Sequence, residues 1–148
     1  GLKIHQKCPT DYVISGDTII EFENKIIGKP DSKNDAFEVL KSLSGKSHYV
    51  ISALSLTFYD SQITIFDSTK VSFKVLDKKT IQFYIDNFNV LDKAGSYNIE
   101  DADEYFIKNI DGCYYNIVGF PEKKFLKSEI KNILDALWFF TINIKSLE

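Results

Sequence analysis

Two long stretches of alternating apolar and polar residues constrain the fold of this chain most strongly. They cover residues 47–59 and 62–76, and Asp60-Ser61 is the predicted turn between them. A strand of about 13 residues extends roughly 43 Å. The pair therefore predicts an elongated hairpin that bends or carries a bulge. The residues expected to share one face are His48, Val50, Ser52, Leu54, Leu56 and Phe58 in the first strand and Ile63, Ile65, Val71, Phe73 and Val75 in the second.

Shorter patterns predict further strands and helices on both sides of this hairpin. Before the long pair they predict a hairpin over residues 18–27 that turns at Glu23-Asn24, and a helix from an Asp31-Ser32 cap to about Ser44, with Gly45 after it. After the long pair they predict a helix capped by Asp77, a hairpin of residues 105–110 and 113–118 that turns at Asp111-Gly112, and a last helix from Pro121 to about Phe140. The expected class is α/β, with an elongated mixed sheet flanked by helices.

Composition limits the classes of function. A length of 148 residues favours one domain, and a net charge of −3 argues against a dedicated nucleic-acid binder. No apolar run approaches the roughly 20 residues that span a bilayer, so no membrane contact is expected. Cys8 and Cys113 are isolated from each other, without zinc spacing or disulfide density. This cysteine usage indicates a reducing compartment.

Asp17 is the first candidate for chemistry. It precedes the predicted strand 18–22, and strand ends are places where a rigid scaffold holds reactive groups. A carboxylate there suits a general base or a metal ligand. The alternative is a turn aspartate that accepts hydrogen bonds from local backbone amides.

Lys29 lies just beyond the same hairpin, in Gly28-Lys29-Pro30. Glycine permits close approach of the backbone, and proline restricts the direction of the chain. A lysine held in this way could meet a phosphate. The alternative is a solvated lysine after a strand.

Ser44-Gly45-Lys46-Ser47-His48 superficially resembles a phosphate-binding loop, but it lacks P-loop spacing and follows a helix. The C-terminal end of a helix disfavours an anion. We therefore interpret Gly45 as a helix cap and His48 as a structural histidine of the strand. On the last helix, Lys123, Lys124, Lys127 and Lys131 are expected to form a solvated face. Residues 138–140, Trp-Phe-Phe, fit either a core or a dimer contact.

Four segments in order resemble conserved motifs of the Maf family. Gly16-Asp17-Thr18-Ile19-Ile20 with Gly28-Lys29-Pro30 is similar to its Asp-Thr-Val-Val…Gly-Lys-Pro. The other three are Leu43 to Val50 (Leu-Ser-Gly-Arg-Thr-His-x-Val in the family), Lys93 to Ile99 (Lys-Ala-Gly-x-Tyr-x-Ile) and Gly112 to Pro121 (Gly-x-x-x-Asn-Val-Val-Gly-Leu-Pro). Their order and spacing agree from about residue 12 to residue 126.

The resemblance implies a cytoplasmic nucleoside triphosphate pyrophosphatase with an inosine-triphosphatase-like fold. Such enzymes cut between the α- and β-phosphates, give a nucleoside monophosphate and pyrophosphate, and need a divalent cation, Mg²⁺ or Mn²⁺. Many are homodimers. By this resemblance Asp17 is the proton acceptor and a metal ligand, Lys29 faces phosphate, and Thr18 lies at a position linked to base selectivity, where threonine resembles the dTTP/UTP-acting branch.

Two departures from the family pattern qualify this expectation. The family's Ser-x-Ser-Pro-Arg-Arg loop has no counterpart, and the chain contains no Arg at any position. We therefore expect residues 1–148 to form a single Maf-like domain that is shortened at its N-terminus. The alternative function is a catalytically impaired module that binds nucleotide or dimerises. A third interpretation is a structural α/β domain with neither property.

Glu100 is the second departure, since Glu100-Asp101 follows Ile99 where the family usually has Gln-Gly. An ionised glutamate only accepts hydrogen bonds, whereas a glutamine amide both donates and accepts. By this resemblance Glu100 belongs to the base-binding residues. We expect it to favour bases that present N–H donors.

Overall fold

A computed structural model describes residues 2–7 and 11–145, with the backbone alone for residues 2, 5 and 138–145. Its strands are β1 (Val13–Phe22), β2 (Lys25–Ile27), β3 (Ser47–Phe58), β4 (Ser61–Phe73) and β5 (Ile107–Asp111). Its α-helices are α1 (Leu2–His5), α2 (Lys33–Leu43), α3 (Lys78–Asn87), α4 (Ile99–Phe106), α5 (Tyr114–Val118), α6 (Glu122–Phe125) and α7 (Glu129–Lys145), and a 3-10 turn covers Ala94–Ser96. None of the described helices has the length and apolar character needed to cross a bilayer.

The strands form one five-stranded sheet in the order β2-β1-β3-β4-β5. The α/β class and the long hairpin flanked by helices are confirmed. In the described part of the chain all four strand pairings are antiparallel. The register of β3 with β4 runs without interruption from Ser47↔Ser72 to Phe58↔Ser61. A register shift occurs instead between β4 and β5, at Ser72/Phe73.

One face of the sheet carries two apolar clusters. The larger cluster joins β1, β3 and β4 to α2, α3 and α4, through residues such as Ile20, Val50, Phe73, Leu40 and Tyr84. The smaller cluster joins the far half of the hairpin to α7 through Leu54, Leu56 and Ile130. The alternation in the sequence therefore correctly predicts the buried face of β3. The prediction for Val75 is wrong, because β4 ends at Phe73 and Val75 is 88% exposed.

The helix caps and one hairpin turn that the sequence predicts are present in the structure. Ser32 Oγ accepts a hydrogen bond from Asp35 N at 3.1 Å, and Asp77 Oδ1 accepts one from Thr80 N at 2.8 Å. Gly45 has φ +70°, as expected of a glycine that ends a helix. The hairpin turn at Glu23-Asn24 is also present, with positive φ at both residues.

The predicted hairpin of residues 105–110 and 113–118 is wrong. Residues up to Phe106 belong to α4, β5 pairs with β4, and Tyr114–Val118 is helical. The physical reason is the burial of Cys113, Asn116 and Ile117, whose spacing is that of a helix and not of a strand. The Asp-Gly signal still ends a strand, but tertiary contacts make the next segment a helix.

The predicted single helix from Pro121 to Phe140 is two helices, α6 and α7. Ser128 separates them: its hydroxyl donates to Phe125 O at 2.7 Å and accepts from Lys131 N at 3.3 Å. Serine at a helix start satisfies backbone donors that the helix itself cannot. The break places Ile130 in the smaller cluster, while Leu126, at the end of α6, stays 56% exposed. The predicted contact at residues 138–140 lies outside the described side chains.

Leu40 provides a test of the larger cluster because it is 0% exposed. We expect Leu40→Ala to lower the free energy of unfolding by about 2–5 kcal/mol, through lost burial and the cavity left behind. Urea unfolding measures the change. Leu126→Ala is the matched control, and a surface leucine of this kind should change stability by no more than about 0.5 kcal/mol. Equal effects of the two substitutions would contradict this description of the core.

Candidate functional site

A cavity of about 440 Å³ lies along β1, where three of the four predicted site residues meet. Asp17, Thr18 and Lys29 line it, together with Lys93 and Asp92. The cavity wall also includes apolar residues of β1, β3 and α5, namely Ile20, Val50, Ile117 and Val118. The site thus combines carboxylates, lysines and an apolar surface in one place.

Asp17 and Thr18 both line the cavity, although neighbouring residues of a strand point to opposite faces of the sheet. Asp17 is not at a strand end, as the sequence suggested, but in the middle of β1, where it pairs with Ala53. Among the described strands, β2 pairs only with Ile20, Glu21 and Phe22 of β1. The earlier part of β1 is therefore a sheet edge, and a cavity at an edge is accessible to side chains of both faces.

The Asp17 carboxylate is exposed and locally oriented. Its Oδ1 accepts a hydrogen bond from Thr18 N at 2.8 Å. A carboxylate offers about four acceptor positions, so this bond leaves others for a water molecule or a cation. The alternative of an aspartate that bonds local backbone is thus seen in the structure, but it does not exclude a chemical role.

Lys29 is paired with Asp92, which the sequence analysis did not single out. The Lys29 Nζ–Asp92 Oδ1 distance is 2.7 Å, and both side chains are more than 60% exposed. The hydrogen bond from Lys29, followed by the charges of Lys29 and Lys93, holds the pKa of Asp92 below its usual range. The backbone supports this arrangement, because Gly95 N donates to Gly28 O at 3.1 Å. This bond does not depend on a glycine at position 28, since a Cβ there would meet nothing within 4 Å, and the expected reason for Gly28 is therefore wrong.

A chain of buried hydrogen bonds supports the cavity from behind. Thr18 Oγ1 lies 2.7 Å from Ser52 Oγ, and Ser52 Oγ donates to Asn116 O at 2.6 Å. Asn116 Nδ2 donates to Val50 O at 2.9 Å and to Thr69 Oγ1 at 3.1 Å. Sequence reasoning singled out Thr18 but missed the hydrogen bonds of Ser52, Asn116 and Thr69 behind it. The available signal was Ser52, a polar residue on the apolar face of β3.

His48 is a buried structural residue, as predicted. Its Nε2 lies 2.7 Å from Tyr97 Oη, and Tyr97 lines the cavity. Burial lowers the pKa of His48 from 6.5 to about 4. Burial also raises the pKa of Tyr97. The pair is therefore neutral near pH 7 and holds one wall of the cavity by a hydrogen bond between uncharged groups.

Glu100 is the predicted site residue that the cavity lining does not include. It lies in the first turn of α4, where Asn98 Nδ2 donates to Glu100 Oε2 at 3.5 Å. Asn98 itself does line the cavity. Partial burial, followed by the charges of Glu100 and Asp103, raises the pKa of Tyr114 at the start of α5. Glu100 is thus an exposed residue outside the cavity lining, and its charge acts on Tyr114 at the N-terminal end of α5.

The described residues contain no group of three or more His, Cys, Asp and Glu side chains suited to hold a metal ion. A magnesium site does not require such a group, since Mg²⁺ keeps several waters and binds through one or two carboxylates plus substrate phosphates. Asp17 fits that need because it is exposed and is one of the residues that line the cavity. Asp92 fits it less well because it already pairs with Lys29.

Comparison with known proteins assigns the family. The model of the family described as Maf-like protein matches residues 2–129. This chain belongs to the Maf-like protein family. The match contains every element from β1 to α6 and all the cavity residues described above.

Relatives within the family share substantial identity with the chain. A dTTP/UTP pyrophosphatase of Thermosipho africanus is 40% identical over 126 residues, which is 85% of this chain and 62% of the relative. Proteins of the same name from Clostridium botulinum and Bacteroides thetaiotaomicron are 45% and 38% identical over 78% and 84% of the chain, and 60% and 65% of their own length. The chain thus spans a little over half of the length of these Maf-like relatives.

The depressed pKa of His48 predicts a pH dependence of stability. As the pH falls below 6.5, the unfolded chain binds a proton on this imidazole, whereas the folded chain resists it down to about pH 4. The unfolded state then binds more protons, so the free energy of unfolding should fall as the pH falls through this window. Urea unfolding at several pH values between the two pKa values measures the slope.

His48→Gln is the matched variant for this prediction. The glutamine amide can still hydrogen-bond to Tyr97 Oη but has no imidazole to titrate. We expect a shallower dependence of stability on pH in this variant. The same slope in both proteins would contradict the assignment of the pH dependence to His48.

Proposed function

We propose that this chain has the function of a nucleoside triphosphate pyrophosphatase, a hydrolase of acid anhydrides. Its substrates are pyrimidine nucleotides of the dTTP/UTP type, and its products are the nucleoside monophosphate and pyrophosphate. The observation that carries this proposal is that Asp17, Thr18 and Lys29 line the same cavity. The family membership and the names of the relatives support it.

Asp17 acts as the general base in this proposal. A water molecule between the Asp17 carboxylate and the α-phosphate loses a proton to the carboxylate as its oxygen attacks phosphorus. The bond from the α-phosphorus to the bridging oxygen breaks, and pyrophosphate leaves with that oxygen. The hydrogen bond from Thr18 N to Asp17 Oδ1 supports this role by orienting the carboxylate, since positioned bases are the effective ones.

Lys29 and Lys93 supply positive charge for the phosphates. Lys29 exchanges Asp92 for a phosphate oxygen when the substrate binds, at small cost because exposed ion pairs contribute about 0–1 kcal/mol. A divalent cation, Mg²⁺ or Mn²⁺, held by Asp17 and the substrate, would offset further charge on the phosphates. Homodimerisation and a cytoplasmic location stay predictions of the family resemblance.

The base lies against the apolar part of the cavity in this proposal. Ile117 and Val118 offer contact to the flat faces of a pyrimidine, and Thr18 offers a hydroxyl to its polar edge. Gly119, which has φ +115°, leaves this hydroxyl accessible: a Cβ there would lie 3.3 Å from Thr18 Oγ1. The relatives named dTTP/UTP pyrophosphatase agree with a pyrimidine substrate.

Asp17→Asn tests the catalytic assignment. We expect pyrophosphate release by the full-length protein to fall by a factor on the order of 10² or more, the scale of a lost general base. A panel of nucleoside triphosphates with Mg²⁺ and a pyrophosphate assay measures the rate.

Asp67→Asn is the control for this prediction. Asp67 lies within β4 and makes the same local bond, its Oδ1 accepting from Ser68 N at 3.0 Å, but it does not line the cavity. The rate of pyrophosphate release by Asp67→Asn should stay close to that of the unaltered protein. Full activity in Asp17→Asn would rule out Asp17 as the base. Nucleotide binding without turnover in the unaltered protein would identify the chain as a binding module instead.

Glu100→Gln tests the proposed contribution of Glu100 to base selection. Because glutamine adds a donor, we expect recognition of base carbonyls to improve and turnover of UTP and dTTP to rise relative to that of CTP. Asp103→Asn is the matched control, since it removes a neighbouring charge of the same helix. Unchanged ratios of UTP, dTTP and CTP turnover in Glu100→Gln would show that Glu100 does not contribute to selectivity.

A further inference from the structure

Ser52 is a polar residue enclosed in the apolar face of the sheet. It is 0% exposed and lies on β3 between Val50 of the larger cluster and Leu54 of the smaller one. On β1 its partner in the register is Thr18. A buried hydroxyl needs hydrogen-bond partners, and the direction of its bonds can be assigned here by counting protons.

The hydrogen bond from Ser52 to Asn116 has a fixed direction. A carbonyl oxygen only accepts, so the single hydroxyl proton of Ser52 goes to Asn116 O, at 2.6 Å. Ser52 Oγ has no second proton for Thr18 Oγ1, which lies 2.7 Å away. Thr18 must therefore donate its own proton to Ser52. Only the lone pairs of Thr18 Oγ1 remain for a ligand.

Asn116 O is held firmly enough to maintain this direction. It also accepts from Gly119 N, at 3.2 Å. The Asn116 side chain is 0% exposed and is itself anchored to Val50 O and Thr69 Oγ1. The acceptor is therefore part of a rigid buried network. Reversal of the two hydroxyls would lose the 2.6 Å bond from Ser52 to Asn116 O and would leave the buried Ser52 Oγ without a donor.

We propose that Ser52 is a specificity-determining positioning residue that makes Thr18 Oγ1 an obligatory hydrogen-bond acceptor toward the cavity. This inference rests on the proposed function. Thr18 then selects a base with a donor at the facing ring position, which is N3–H of uracil or thymine. Cytosine presents an unprotonated N3 with a lone pair, and two facing lone pairs repel. Ser52 itself does not touch the substrate.

The test is the ratio of kcat/KM for UTP to kcat/KM for CTP in the full-length protein and in Ser52→Ala. Without Ser52 Oγ the Thr18 hydroxyl can rotate and donate to N3 of cytosine. We expect the ratio to fall about tenfold, the scale of one hydrogen bond. The ratio is insensitive to partial unfolding, because a smaller folded fraction lowers both rates equally.

Two further variants separate positioning from general damage. Ser55→Ala is the matched control: Ser55 lies on the same strand, and its Oγ is 2.7 Å from Thr64 Oγ1, away from the cavity. In Ser55→Ala the ratio of kcat/KM for UTP to kcat/KM for CTP should equal that of the unaltered protein. Ser52→Thr restores the hydroxyl and should restore most of the ratio.

A double-mutant cycle tests whether Ser52 acts through Thr18. Thr18→Val removes the hydroxyl, so Ser52→Ala should have no further effect on the ratio in that background. Equal effects of Ser52→Ala with and without the Thr18 hydroxyl would overturn the inference. An unchanged ratio in Ser52→Ala alone would overturn it as well.

Binding measurements keep this test independent of the proposed activity. Calorimetric affinities for UMP and CMP should show the same preference and the same loss in Ser52→Ala. If no nucleoside triphosphate is turned over but this Ser52-dependent preference is present, the proposed activity fails and the inference stands. Turnover with an unchanged preference overturns the inference alone, and equal affinities for UMP and CMP without turnover overturn both.

Discussion

The hydrogen bonds of Ser52 and Asn116 are the constraint on which the arrangement of the site depends. They connect the middle of the sheet to α5. The connection lies between the two apolar clusters of that sheet face. An unpaired buried polar group costs about 1–3 kcal/mol. The short helix α5 is therefore held in one orientation, and its residues Ile117 and Val118 become a wall of the cavity.

The edge of β1 is the second constraint, because it determines which residues can meet. Within one strand Asp17 and Thr18 point to opposite faces, and they share a cavity only because β2 leaves the earlier part of β1 uncovered on one side in the described structure. Lys29 follows β2 and reaches the same cavity through the Gly28–Gly95 backbone bond. A charged side and an apolar side are thus placed around one exposed strand segment.

Most strands and helix starts could be predicted because their causes are local. The alternation of β3, the caps at Ser32 and Asp77 and the turn at Glu23-Asn24 follow from residue type and spacing. The segments predicted wrongly are those with a non-local cause. Asn116 makes its helix favourable only when Val50 O and Thr69 Oγ1 are present to accept its amide protons. Those partners are more than 40 residues away in the chain.

The sequence by itself determined the α/β class, the long hairpin, the family and the presence of Asp17, Thr18 and Lys29 in family motifs. Spacing and residue type are enough for these, since each is a property of a short segment. Only the tertiary structure decided that Asp17 lies within a strand, that Lys29 pairs with Asp92 and that Thr18 Oγ1 lies 2.7 Å from Ser52 Oγ. The physical reason is that hydrogen-bond direction and charge pairing depend on which distant groups become neighbours, and folding alone brings them together.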